Sequence, residues 1–311
     1  MEIIRDLFAW DNPYEGTVLS LGVFDGVHIG HRKVLDLTLA WARELNVPAG
    51  VLTFDRMPAR VLQKSAPGLL ISLDHRLALL GQCGFDFAAV LTFTKELADT
   101  GPADFAADVL RSRLRAKGLV VGYDQRFGRN REGDKDVLET LGRGLGFEVR
   151  SAPPVRLAGQ VVSSTLIRKA IEAGRLTEAS LMLGRPVSCR GTARAQKQLG
   201  RRIGHPTFWL DLHHEVRPPC GVYAARSISE KHSGPALCNI AKKRRSEHSE
   251  FSDRIERAVE LCFETNVESL EGEETEVFFL RLLRPELDLS DDARFREQLR
   301  EDFRHLRAAF S

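Results

Sequence analysis

Two histidines, His28 and His31, are the residues in this sequence best placed to do chemistry. They end the string Leu19-Ser20-Leu21-Gly22-Val23-Phe24-Asp25-Gly26-Val27-His28-Ile29-Gly30-His31. At that spacing two imidazoles share one face of a starting helix and can donate to the same phosphate. Gly30 between them leaves room for a phosphate against the backbone. Gly22, Gly26 and Gly30 accept angles and close approaches that a Cβ would block. A helix N-terminus adds free N–H groups and the positive end of its dipole. The chemistry implied is anion binding and stabilisation of charge on a phosphate. The bland alternative is a pair of surface histidines without a role. Their place directly after an apolar strand and a G-x-F-D-G turn argues against it. Both histidines are expected at an exposed turn.

The elements that must hold this turn follow from periodicity. Thr17 to Leu21 reads as a buried parallel strand. From His31 the period changes, and Val34, Leu35, Leu37, Leu39, Trp41 and Leu45 give a helix ending near Asn46, with Pro48 beyond. A strand at Gly50–Phe54 delivers Asp55 at its carboxyl end. Arg56 beside it could face a phosphate or simply be solvated. A helix from Asp74 to Cys83, a strand from Phe87 to Phe93, a helix from Pro102 and strands at Leu119–Val121 and Phe147–Val149 continue the alternation. Such alternation implies a doubly wound parallel sheet. The loop from Gly122 to Asp134 carries Arg126, Arg129 and Arg131 among glycines, which suits a cover over an anion or an ordinary solvated loop. Ser163 or Ser164 can cap a helix carrying Ile167, Ala170 and Ile171.

Near Gly184 the character changes, which places a domain boundary there: 1–184 and 185–311. Short strand-like pieces follow at Val187–Ala193, Thr207–Leu212, Val222–Ser227 and Ala236–Ile240. They read as a small antiparallel barrel. An amphipathic helix from Asp291 to Phe310 carries Phe295, Leu299, Phe303 and Leu306 as its packing stripe.

Composition bounds the function. A 43% hydrophobic, 28% charged chain of net charge +2 is an ordinary globular protein and not a dedicated nucleic-acid binder. Five scattered cysteines without a C-x-x-C suggest reduced thiols in the cytoplasm, not a disulfide framework or a zinc site. No apolar run reaches membrane-spanning length, and the start of the chain has no signal-peptide pattern. Oligomeric state has no signature here.

The glycines match neither the dinucleotide fingerprint nor the P-loop. H-x-G-H after a first strand resembles the nucleotidylyltransferase superfamily, and G-V-F-D-G-V-H-I-G-H resembles one branch of it, the prokaryotic bifunctional riboflavin kinase/FAD synthetases. The resemblance implies a Rossmann-like domain with a parallel sheet, then an antiparallel β-barrel with a C-terminal helix. It implies ATP and FMN as substrates, Mg²⁺ as the metal, and transfer of AMP to FMN with loss of pyrophosphate. His28, His31 and Arg168 would be catalytic. Gly22, Phe24, Asp25, Gly30, Asp124, Phe127, Ser164 and Thr165 would bind substrate, Ser164, Thr165 and Arg168 lying in S-S-T-x-I-R. Leu166 replaces a common arginine of that segment, and Gln125 stands where V-V-G-x-D-F-R-F-G has an aromatic. The loop Phe54-Asp55-Arg56-Met57-Pro58 departs from the usual F-D-P-H-P.

Leu183-Gly184-Arg185-Pro186, Gly221-Val222-Tyr223 and Leu283-Arg284-Pro285-Glu286 resemble the family's kinase module, which phosphorylates riboflavin. There Thr207 would serve Mg-ATP and the metal, and Glu260 would take the proton of the flavin hydroxyl. Trp209 replaces the asparagine of P-T-x-N, and Ala241-Lys242-Lys243-Arg244-Arg245-Ser246 replaces G-x-x-P-T-F. An indole donates only and would crowd a nucleotide, so the expectation is a barrel with little or no kinase activity unless Asp211 reaches the metal. The basic run reads as a solvated loop. The alternative reading is another H-x-G-H nucleotidylyltransferase whose barrel only binds or oligomerises.

Overall fold

The computed structural model describes residues 1–57, 66–212, 216–243, 256–267, 270–287 and 292–310. Pro58, Arg244-Arg245-Ser246 and Asp291 lie outside them. By contact the chain divides into Met1–Leu69 with Leu73–Ser164, and Leu70–Ser72 with Thr165–Ser311.

The first unit is built on a parallel sheet of β1 (Glu2–Ile4), β2 (Thr17–Leu21), β3 (Ala49–Phe54), β4 (Phe87–Leu91), β5 (Ala116–Gly122) and β6 (Glu148–Ala152). Their order is β1-β4-β3-β2-β5-β6, and every neighbouring pair is parallel. β2 and β4 are buried along their whole length, as interior strands of such a sheet must be. From β2 the chain moves outward through β3 and β4, then returns to pair β5 on the other side of β2. The crevice at the carboxyl ends of β2 and β5 is therefore the topological switch point, where ligands of open α/β sheets bind.

Helix α1 (Ile29–Leu45) follows β2 and ends at Asn46 in the left-handed conformation. Next come α2 (Leu73–Gly81), α3 (Lys95–Asp99) and α4 (Lys135–Leu145), and after β6 a short antiparallel pair, β7 (Arg156–Leu157) and β8 (Gln160–Val161). The helix expected from Pro102 takes the rare i→i+5 register over Phe105–Arg113. Leu19, Leu21, Leu52, Phe87, Leu119 and Val121 form the core of this unit with Phe105 and Leu110.

The second unit begins with α5 (Ser164–Glu172), whose first residue still groups with the first unit, and α6 (Leu176–Leu183). A closed antiparallel barrel follows: β9 (Ser188–Ala195), β10 (Thr207–Leu212), β11 (Gly221–Ile228), β12 (Ser233–Lys243), β13 (Glu256–Cys262) and β14 (Glu274–Arg284), in the order β10-β13-β12-β11-β14-β9. The pairing of β9 with β10 closes it. Helix α7 (Lys197–Ile203) lies between those two strands in sequence.

Helix α8 (Asp292–Phe310) buries Leu299, Phe303 and Leu306 with Ile203, Val222 and Leu237. Asp302, 1% exposed, anchors it: Arg284 Nε donates to its two oxygens at 2.9 and 3.1 Å, and Nη2 donates at 2.8 Å. The protein is thus a Rossmann-like α/β domain followed by a closed β-barrel with a C-terminal helix. Among the described residues no helix is long and apolar enough to cross a membrane, and all five cysteines are free.

Candidate active sites

The H-x-G-H turn sits at the carboxyl end of β2, on the N-terminus of α1. It is not the exposed turn expected. His28 is 5% exposed, and its ring stacks on His31 with centroids 3.6 Å apart. His28 is the N-cap of α1, in extended conformation, so it precedes the helix rather than sharing a helical face with His31. Its Nδ1 accepts the His31 backbone N–H at 3.2 Å, which places the proton of the neutral ring on Nε2.

Gly30 serves this stack. A Cβ there would lie 3.0 Å from His28 Cε1 and 3.1 Å from Nδ1, so the glycine makes room for a ring where a phosphate was expected. Phe24, expected to touch substrate, is buried and packs edge-on to His31 at 5.4 Å. Phe24 and Val27 hold positive φ values of 52° and 41°. Such angles cost bulky side chains about 1–3 kcal/mol and persist where the surroundings over-determine them.

Burial, the His28 ring and Arg76 together hold the His31 imidazole well below the usual histidine range, so it is neutral at pH 7. Its Nδ1 is buried without a hydrogen-bond partner among the described residues. Arg76 itself is 4% exposed and donates to Val23 O and Phe54 O, both at 2.5 Å, tying the turn after β2 to the end of β3. Burial pushes its pKa down to about 10, against the pull of Asp25 and Asp55, so it stays charged. The sequence reading missed Arg76. Its signal was a charge on the Leu73, Leu77 and Leu80 stripe of α2, at i+3 spacing from Leu73.

Beside the turn, a pocket of about 510 Å³ opens at the switch point. Gly22 and Val23 from the end of β2, Phe54 from β3, and Asp124 and Phe127 from the loop after β5 all line it. Its walls are aromatic: Phe54 meets Phe93 edge-on at 5.6 Å, and Phe105 leans on Phe127 at 5.9 Å. Phe127 pairs with Gly133 through two backbone bonds of 3.0 Å. A Cβ on Gly133 would come within 2.3 Å of the Phe127 ring. Arg126 and Arg131 lie at the rim. Arg56 instead pairs with Asp55 at 3.2 Å, while Asp55 also accepts the Phe93 N–H at 3.0 Å.

Ser164 is the first residue of α5, and its hydroxyl donates to Asp25 O at 2.8 Å. Both residues belong to the first unit. Thr165 follows, exposed, and Arg168 lies one helical turn beyond Ser164, 8% exposed.

In the barrel, Glu260 faces Trp209 across β10 and β13 and Asn239 across β12 and β13. Its Oε1 accepts Gln196 Nε2 at 3.2 Å, and its Oε2 accepts Asn239 Nδ2 at 3.1 Å. Thr207, Asn239 and Glu260 line a cavity of about 120 Å³ whose apolar wall includes Leu199 and Leu299. A groove of about 350 Å³ is lined by Gln196, Lys197, Arg201 and again Thr207. Trp209 lines neither of these two spaces, although its cross-strand partner Glu260 lines the cavity. Asp211 is exposed and also lines neither. Thr207 Oγ1 donates to His205 O at 3.0 Å. Burial pushes the neighbouring Cys262 thiol up to about 12, so it stays protonated.

Known families match both halves of the chain. The family model described as FAD synthetase matches residues 11–166, and the model described as riboflavin kinase matches residues 183–310. The bifunctional riboflavin kinase/FMN adenylyltransferase of Escherichia coli (strain K12) is 36% identical over 247 residues, 78% of this chain and 79% of that protein. The protein of the same name from Listeria monocytogenes is 31% identical and covers 94% of this chain and 92% of its own. A solved structure named as a macrolide-efflux protein from Streptococcus pneumoniae superposes with a TM-score of 0.81 at 26% identity, over 98% of both chains. The kinase model spans the whole barrel, so the expectation of a disabled kinase module, drawn from Trp209 and the missing P-T-F, is not supported. Turn, pocket, barrel and both family models converge: the chain belongs to the bifunctional riboflavin kinase/FMN adenylyltransferases.

Proposed function

We propose that the chain carries both activities of its family, phosphorylating riboflavin in residues 185–311 and adenylylating FMN in residues 1–184. For the second reaction, a phosphate oxygen of FMN attacks the α-phosphorus of ATP. The bond to the β-phosphate breaks, and pyrophosphate leaves with its electron pair. No protein nucleophile is needed, so rate comes from positioning and from donors aimed at developing charge. His28, donating from Nε2, and neutral His31 are those donors. Ser164, Thr165 and Arg168 hold phosphate oxygens, Arg168 through its planar fork. Asp124 and Phe127 border the bound substrate, and the four aromatic walls suit a flat tricyclic ring. The observation that carries this reading is the stacked, N-capping imidazole pair at the switch-point crevice. Incubation with FMN and ATP, followed by chromatography, tests it: FAD and pyrophosphate are expected.

For the first reaction, the terminal hydroxyl of riboflavin attacks the γ-phosphorus of ATP, ADP leaves, and Glu260 takes the hydroxyl proton. The carrying observation is the half-buried Glu260, held by two side-chain amides, at the cavity that meets the groove at Thr207. Glu260→Gln should abolish FMN formation from riboflavin and leave FAD formation from supplied FMN intact. Mg²⁺ fits as an ion carried by nucleotide phosphates with few protein ligands. Among the described residues no three His, Cys, Asp or Glu side chains converge. Thr207 Oγ1, which gives its proton to His205 O and is also bonded by the Cys262 thiol, keeps one lone pair for a cation. When bound, the ion neutralises phosphate charge.

A further inference from the structure

Gln196 occupies the N-cap position of α7 but makes no capping bond. A side chain there ordinarily turns back onto free helix N–H groups. Gln196 Nε2 reaches Glu260 Oε1 instead, at 3.2 Å. Its backbone N–H donates to Thr207 O at 2.8 Å. One residue thus connects the carboxylate at the cavity with the threonine shared by cavity and groove. Asn239 Nδ2 holds the other carboxylate oxygen.

We propose that Gln196 is a positioning residue for phosphoryl transfer, fixing the carboxylate plane of Glu260 where the groove meets the cavity. The inference rests on the kinase reading above. An ionised carboxylate offers about four lone-pair sites, and the two amides take one on each oxygen. Neither amide carries charge or accepts the transferred proton, so Glu260 remains a base whose remaining lone pairs, one on each oxygen, are fixed in direction. With Asn239 alone the carboxylate can rotate away from the hydroxyl it must serve. In the step itself the ribityl hydroxyl oxygen bonds to the γ-phosphorus. The bridging bond to the β-phosphate breaks with its electron pair on ADP, and the hydroxyl proton passes to Glu260. Misplacing a catalytic group by about 1 Å can cost about 10²-fold in rate.

The test uses the full chain and measures two rates in each preparation: FMN from riboflavin and Mg-ATP, and FAD from FMN and Mg-ATP. Gln196→Ala and Gln196→Met, the latter keeping length without a donor, should lower kcat for FMN formation roughly 10- to 100-fold. KM for riboflavin and for Mg-ATP should stay within about twofold, since positioning acts on the transition state. Gln196→Glu, which sets a carboxylate against a carboxylate, should lose more. FAD formation should be unchanged in all three. An unchanged kcat in the alanine and methionine variants overturns the proposal. So does a rise in the KM for Mg-ATP alone, which would make Gln196 a nucleotide contact. Equal loss of both activities would show general damage and also overturn it. A wild-type chain that makes FAD but no FMN removes the kinase reading and this inference with it, a result distinct from active wild type with active variants.

Discussion

The hydrogen bond from the His31 N–H to His28 Nδ1 decides which nitrogen of His28 can work. Replacing either histidine with alanine should lower FAD formation roughly 10²–10³-fold, the effect of losing one transition-state donor. His28→Ala should also cost about 1 kcal/mol of stability through the lost cap; initial rates and urea midpoints on the same samples check both. His31 adds a pH effect. Its folded pKa lies below the free value of 6.5, so below about pH 6.5 the unfolded chain binds more protons. Stability is then full above that pH and falls as pH drops through it toward the folded value. Urea midpoints measured from about pH 7.5 down to about pH 5 should show the fall, and His31→Gln should flatten it. The residue types and spacing of the turn were legible in the sequence. The stacking and burial were not, because His28 lies outside the helix whose periodicity was being read. Gln196 gave no signal at all, since its partner is distant in sequence.

At the scale of elements, apolar runs such as Thr17–Leu21 and Phe87–Leu91 were legible because interior parallel strands are apolar on both faces. The strand β1 escaped as a three-residue edge piece. The strand β13 escaped behind a charged run. The strand β14 does alternate between buried and partly exposed residues up to Phe279, but its long apolar stretch hides that period. Two predictions belong here. Arg168→Lys keeps the charge of α5 but loses the planar fork; KM for ATP in FAD synthesis should rise about 10-fold with little shift in melting temperature. Asp302→Asn removes the negative charge and one of the two oxygens that hold half-buried Arg284, and should destabilise the barrel by about 3–5 kcal/mol, read as a lower denaturant midpoint of kinase activity.

The whole molecule has two units by contact, and the two family models divide the chain near the same boundary. Calorimetry should therefore show two transitions, since a chain of several domains departs from two-state melting. Asp302→Asn should move only one of them, and FAD formation should outlast FMN formation on heating of that variant.

Closure of the barrel has a consequence for shelf life. While β14 is paired with both β11 and β9, Val277 and Phe278 have strand partners on both sides. The parallel sheet ends differently, in three-residue β1 and in β6, whose Glu148 and Arg150 are exposed; short strands and charges are poor templates for another chain. Aggregation should therefore begin when the barrel opens and bares β14, a stretch of high β-propensity and low charge. Thioflavin fluorescence during incubation near the barrel's transition should rise sooner in Asp302→Asn than in wild type, and Phe278→Lys in the same background should delay it.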